Sequence, residues 1–162
     1  MKTLLLIRHA KSSWEMDVED FERPLNDRGK RDAPAMAQRL LVKNVKLDLL
    51  VSSPAKRAFA TAIFFAEAYE IKQKHILLLP ILYEPSLGSF TNAIHNLEDD
   101  YKHVALFSHN PGISSFANRL TSSSIDDMPT CSIFAVKADI KSWKDFAEAK
   151  KEFCFFDYPK AM

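Results

Sequence analysis

Arg8 and His9 stand at the end of an apolar run, Leu4-Leu5-Leu6-Ile7, and His109 closes a second run, His103-Val104-Ala105-Leu106-Phe107-Ser108. Arg57 lies four positions beyond Ser53, behind a third run, Leu47-Asp48-Leu49-Leu50-Val51-Ser52. Two imidazoles and two guanidinium groups placed this way form a coherent set for phosphoryl transfer. An arginine fork matches phosphate oxygens in pairs, and two arginines can neutralise charge spread over the equatorial oxygens. One imidazole can attack phosphorus provided it is neutral, and nearby guanidinium groups favour that form by disfavouring a further positive charge. The other imidazole can hydrogen-bond the transferring group. Cationic side chains then supply the charge that a metal would otherwise bring. No HExxH and no Cys/His cluster occurs, so neither metal nor cofactor is expected.

Other chemistries lack their residues. The three glycines, Gly29, Gly88 and Gly112, are too far apart for GxGxxG or GxxxxGK[ST], so any phosphate must be held by side chains. A cysteine-dependent phosphatase wants an arginine six residues after its nucleophile, whereas Cys131 and Cys154 are followed there by Lys137 and Lys160. Both cysteines are read as core residues in apolar strand patterns. Asp-x-Asp and Gly-x-Ser-x-Gly are absent. His75 and His95 are expected on solvated surfaces, and His103 at the start of a strand. Phe64, Phe65, Phe153, Phe155 and Phe156 are read as packing, with Phe155 facing away from its neighbours. Lys11 and Arg23 are further basic candidates: Lys11 follows His9 by two positions, and Arg23 precedes a Pro-Leu turn that could fold over the site.

The elements that must position these groups follow from the apolar pattern. Short runs at 2–7, 47–52, 76–79, 103–108, 132–137 and 151–156 suit strands covered on both faces. Helical patterns at about 29–43, 54–70, 86–98 and 111–120 separate them; in the second, Ala58, Ala62, Phe65, Ala66 and Tyr69 keep three-to-four spacing. Alternating strands and helices imply an α/β domain with a mostly parallel sheet. Ser53-Pro54 and Asn110-Pro111 read as N-cap residues followed by proline at the first helical position. Each would open a helix at the carboxyl end of a strand, where open α/β sheets bind ligands and helix N-termini attract anions. If the three strands are parallel neighbours, Arg8, His9, Arg57 and His109 converge. No repeat or linker divides residues 1–162, which are expected to form one domain.

Three stretches also resemble a known family. Leu6-Ile7-Arg8-His9-Ala10-Lys11-Ser12 is similar to the Arg-His-Gly opening of the histidine phosphatase (phosphoglycerate mutase-like) superfamily. Val51-Ser52-Ser53-Pro54-Ala55-Lys56-Arg57-Ala58-Phe59-Ala60-Thr61 resembles its Ser-Ser-Pro-x-x-Arg-x-x-x-Thr motif, and Ser108-His109-Asn110-Pro111-Gly112 its late histidine motif. Arg23-Pro24-Leu25-Asn26-Asp27-Arg28-Gly29 resembles the SixA-like phosphohistidine phosphatases within it. Ala10 stands where the superfamily usually has glycine. The resemblance implies a three-layer α/β/α sandwich. It also implies a phosphorylated nucleophile at His9, and a phosphate pocket completed by Arg8, Arg57 and His109, with Arg23 a candidate for contacting phosphate. Glu84, in Leu82-Tyr83-Glu84-Pro85, lies near the family's acid position without its surrounding motif, and is a candidate general acid.

The implied function is a cofactor-independent phosphatase working through a phosphohistidine intermediate, with phosphohistidine on a partner protein as substrate. The alternatives are a phosphomonoesterase or mutase acting on a small metabolite, and a non-catalytic phosphate-binding module. Of 162 residues, 22 are Lys or Arg and 21 Asp or Glu, a formal net charge of +1, which argues against a general nucleic-acid binder. No apolar run approaches the roughly 18–20 residues of a membrane span, and the N-terminal run is too short for a secretory signal. Two cysteines without a CxxC pair fit a reducing cytoplasm.

Overall fold

The computed structural model describes residues 1–15 and 17–161. Six strands form one sheet: β1 (Lys2–Arg8), β2 (Leu49–Ser52), β3 (Leu77–Leu78), β4 (His103–Ser108), β5 (Ile133–Ala138) and β6 (Glu152–Asp157). Their spatial order is β3-β2-β4-β1-β5-β6. The pairings from β3 through β1 are parallel, and β5 and β6 are antiparallel additions at the far side. The four principal helices are α1 (Asp27–Val42), α2 (Lys56–Ala68), α3 (Leu87–His95) and α4 (Gly112–Leu120).

Strand side chains alternate between faces, and both faces here are apolar, so the sheet needs a helical cover on each side. Leu5, Ile7, Leu50, Ala105 and Phe107 pack against Met36, Ala37 and Leu40 of α1 and Ala62 and Phe65 of α2. Leu4, Leu6, Val51, Val104 and Leu106 pack against Phe90 and Ile94 of α3 and Ile113, Phe116 and Ala117 of α4. The result is the expected three-layer α/β/α sandwich with a mixed, mostly parallel sheet.

Three local readings need correction. Pro54 and Pro111 do not occupy first helical positions. The Ser53 Oγ accepts the Ala55 N–H at 3.2 Å, closing a small turn, so α2 begins only at Lys56. Pro111 flanks α4, which begins at Gly112. Cys131 is buried as expected, but Cys154 is exposed. On the edge strand β6, Phe155 pairs with Ala135 and Phe153 with the next residue of β5, Val136, so Cys154 is the extra residue of a bulge. The bulge turns Phe153 and Phe156 towards the same ring, Phe134, while Phe155 packs on the α1/α2 side.

Candidate active site

The parallel register makes β1, β4 and β2 neighbours that end together: Arg8 lies opposite Ser108, and Ser52 opposite Phe107. His9, His109 and Ser53 are the residues that follow these strand ends, so one step past the sheet brings them together. The His9 and His109 ring centroids are 5.2 Å apart. The Ser53-to-Ala55 turn then delivers Arg57 in the first turn of α2. Its Nε–H donates to His9 Nε2 at 3.3 Å. Thr61 ties the arrangement down: its Oγ1 donates to the Arg57 carbonyl at 2.8 Å and accepts the Ala10 N–H at 2.9 Å. The last residue of the second motif thereby couples the Arg57 helix to the backbone beside His9.

His9 is buried, and its Nδ1 lies 2.7 Å from the Ala10 carbonyl oxygen. A carbonyl only accepts, so Nδ1 carries the proton and the Nε2 lone pair faces the cleft. Burial holds the His9 pKa well below the usual imidazole value; the charges of His109, Arg57 and Arg8 push the same way, against the Ala10 hydrogen bond. His109 is lowered to about 3, first by burial and then by Arg57. Both rings are therefore neutral near pH 7. His109 Nε2 sits 2.7 Å from Ser53 Oγ. That hydroxyl, which accepts from Ala55, can donate to Nε2 or accept from it, and in the first arrangement Nδ1–H is the free donor of His109. His109 Nδ1 has no hydrogen-bond partner among the described residues.

Arg8 donates to the Met128 carbonyl at 2.8 Å, while its buried Nε has no partner among the described residues. Arg23 is buried, donating to Ser12 Oγ at 2.6 Å, with its guanidinium 3.5 Å from the Trp14 ring centre. These residues, with Lys11, Tyr83, Glu84 and Asn110, line a cleft of about 610 Å³. Glu84 is exposed on its rim in a left-handed backbone conformation (φ 52°). His75 and His95 are exposed and His103 is half-buried at the start of β4, all away from the cleft.

Two residues with no assigned role in the sequence reading stand inside this constellation. Asp20, in the short 3₁₀ turn Asp20–Glu22, accepts from Arg57 Nη2 at 3.0 Å, Arg23 Nε at 3.2 Å and Tyr83 Oη at 2.7 Å. Its carboxyl pKa is held down at about 2, chiefly by the Tyr83 hydrogen bond and then by Arg57, against the cost of burial. The Asp20/Arg23 spacing of three residues was the one sequence sign of this; Tyr83 had none.

The chain belongs to the histidine phosphatase superfamily (branch 1), whose family model matches residues 4–103. That match covers Arg8, His9, Arg23, Arg57 and Glu84 and ends before His109, which joins the set by geometry. An uncharacterized chloroplastic protein of Arabidopsis thaliana is 28% identical over 153 residues, 89% of this chain and 70% of that protein. Phosphoserine phosphatase 1 of Hydrogenobacter thermophilus is 38% identical over 76 residues, 44% of this chain and 35% of its own length. Among solved structures, the protein histidine phosphatase SixA complexed with tungstate matches with a TM-score of 0.82 at 20% identity, covering 97% of each chain. At that identity the likeness is one of fold.

Proposed function

We propose that this protein is a phosphatase that works through a phospho-His9 intermediate and that its substrate is phosphohistidine on a partner protein. The observation that carries the reading is the state of His9: neutral, proton on Nδ1, Nε2 lone pair in a cleft lined by Arg8, Arg57 and His109. His9 Nε2 attacks phosphorus, forming an N–P bond as the substrate's N–P bond breaks, and the substrate imidazole departs neutral, its distal nitrogen protonated. Water then attacks the phosphoryl group of phospho-His9; the new P–O bond replaces the N–P bond, the water's proton is lost to solvent, and Nε2 regains its lone pair. Arg8 and Arg57 offset charge on the equatorial oxygens in both steps, and the His109 Nδ1–H donates to one of them.

Two features support a protein substrate. The cleft is open, and Trp14 at its edge is three-quarters exposed, an aromatic anchor of the kind protein interfaces use. The leaving group also matters. An alkoxide from serine or a sugar needs a positioned proton donor, whereas a protonated imidazole does not. Glu84 lies on the rim without a hydrogen bond to the histidines, an arrangement that suits a P–N bond better than a P–O bond. The two free thiols fit a reducing cytoplasm. A second reading, a phosphomonoesterase acting on a small metabolite, is favoured by Glu84 lining the cleft at all and by the partial likeness to a phosphoserine phosphatase.

Turnover on phosphohistidine proteins, phosphoserine peptides and sugar phosphates tests the choice, with acid-labile, base-stable label sought on His9. Preference for the P–N substrates with label on His9 is the expected result. Preference for phosphomonoesters moves the assignment to the second reading, and turnover without label on His9 removes the covalent mechanism.

A further inference from the structure

Arg57 has few donors left for a substrate. Its Nε–H points at His9 Nε2, its Nη1 donates to the Asp20 backbone carbonyl at 2.6 Å, and its Nη2 to the Asp20 carboxylate at 3.0 Å. Arg23 Nε and the Tyr83 hydroxyl reach the same carboxylate. Four polar contacts thus converge on one residue at the mouth of the cleft that holds the nucleophile. A phosphoryl group on His9 Nε2 would need those same guanidinium donors. A dianion and a carboxylate held side by side on one guanidinium repel each other strongly in a half-buried cleft.

We propose that Asp20 is a specificity-determining residue: its carboxylate holds one donor of Arg57 and one of Arg23 as an internal anion, and only a ligand with the charge and oxygen count of a phosphoryl group displaces it. The proposal rests on reading the cleft as a phosphoryl site. Burial shows which side yields. The Asp20 side chain is 47% exposed against 7% for Arg57 and 8% for Arg23, and its 3₁₀ turn contains no buried residue. The arginines have other tethers. Arg23 keeps Ser12 Oγ, the Ser13 carbonyl and the Trp14 ring, and Arg57 is rooted in α2 and in the Asp20 backbone carbonyl. The carboxylate can therefore swing to solvent and leave the fork in place. A phosphoryl group carries two charges and three free oxygens, enough to take over the donors of Arg57 and Arg23 that the carboxylate holds. A carboxylate ligand carries one charge and two oxygens, no more than Asp20 itself. After hydrolysis the returning Asp20 competes with bound inorganic phosphate and hastens its release.

The test is the dissociation constant of inorganic phosphate, measured by titration calorimetry on the intact chain and on Asp20→Asn and Tyr83→Phe, with thermal melts to establish that each variant folds. Asp20→Asn keeps the shape and removes the competing charge, so phosphate should bind about ten-fold tighter or more. Tyr83→Phe loosens the carboxylate without changing charge and should shift affinity in the same direction by less. Unchanged or weaker binding in both variants overturns the proposal and leaves Asp20 as an aligner of the arginines, with the phosphatase reading intact. If the unaltered chain and both variants fold but bind no phosphate, the cleft is not a phosphoryl site, and both readings fall. Should Asp20→Asn not fold, Tyr83→Phe decides alone.

Discussion

Two buried neutral histidines make stability depend on pH in a window where carboxylates contribute little. The perturbation is a shift from pH 7 to pH 5. In the unfolded chain each histidine takes up a proton near pH 6.5. In the folded protein His109 does so only near 3, and His9 is likewise held well below 6.5. Between those values the unfolded state binds more protons than the folded one, so stability falls as pH falls below about 6.5, by about 1.4 kcal/mol per pH unit for each histidine. From pH 7 to 5 that amounts to about 2 kcal/mol for His109, and His9 adds a loss in the same direction, a sizeable part of the 5–15 kcal/mol typical of a domain. Asp20 acts in the same direction but only below pH 4, since its carboxyl is held at about 2, so it leaves this window clear. Urea unfolding in phosphate-free buffers measures the change, because bound phosphate would stabilise the folded state independently. His109→Asn should lower the loss by about 2 kcal/mol and leave the part that belongs to His9, whatever its effect on stability at pH 7. A total loss below about 1 kcal/mol, or an identical loss in His109→Asn, would refute the reasoning that burial keeps these rings neutral.

Three further outcomes follow from the same geometry. Arg57→Lys keeps the charge and loses the planar fork that spans His9 and Asp20, so kcat should fall by ~10²-fold or more; a change under three-fold in steady-state assays would mean the fork does not act in the transition state. Glu84→Gln should reduce phosphohistidine hydrolysis modestly and any phosphomonoesterase activity much further; equal collapse of both would make Glu84 a true general acid, and no change in either would make it a loop residue only. Gly112→Ala drives a Cβ into the Pro85 carbonyl oxygen and should cost about 1–3 kcal/mol by chemical denaturation. Gly88→Ala in α3 meets nothing closer than Ser86 Oγ at 3.7 Å and should instead stabilise by about 0.5–1 kcal/mol, so a shared sign would refute the packing argument.

The sequence by itself determined the parts of this protein that depend on neighbours along the chain. Apolar runs bounded by turn residues define buried strands because a strand covered on both faces has no polar side to show. All six runs form strands, but the edge strands depart from that reading, β3 shrinking to the exposed pair Leu77–Leu78 and β6 being exposed over Glu152–Cys154 because no further strand covers either edge. Arg8, His9, Arg57 and His109 were legible as a set because each lies at or within a few residues of a strand's carboxyl end, and parallel neighbours bring such ends to one edge. Tertiary structure alone decided what depends on contacts between distant residues. The bulge that exposes Cys154 exists because β6 must bring both Phe153 and Phe156 onto Phe134, a demand set by β5 and invisible in Phe-Cys-Phe-Phe. The proton position on His9 follows from one carbonyl's location, and the neutrality of both rings from their burial. Asp20 had an ordinary place in an acidic stretch, Asp17 to Glu22, and only its three-residue spacing from Arg23 set it apart from its neighbours. It became part of the site because folding set its turn against Arg57, 37 residues away, and Tyr83, 63 residues away, and a carboxylate held by two guanidinium groups is defined by that meeting rather than by spacing along the chain.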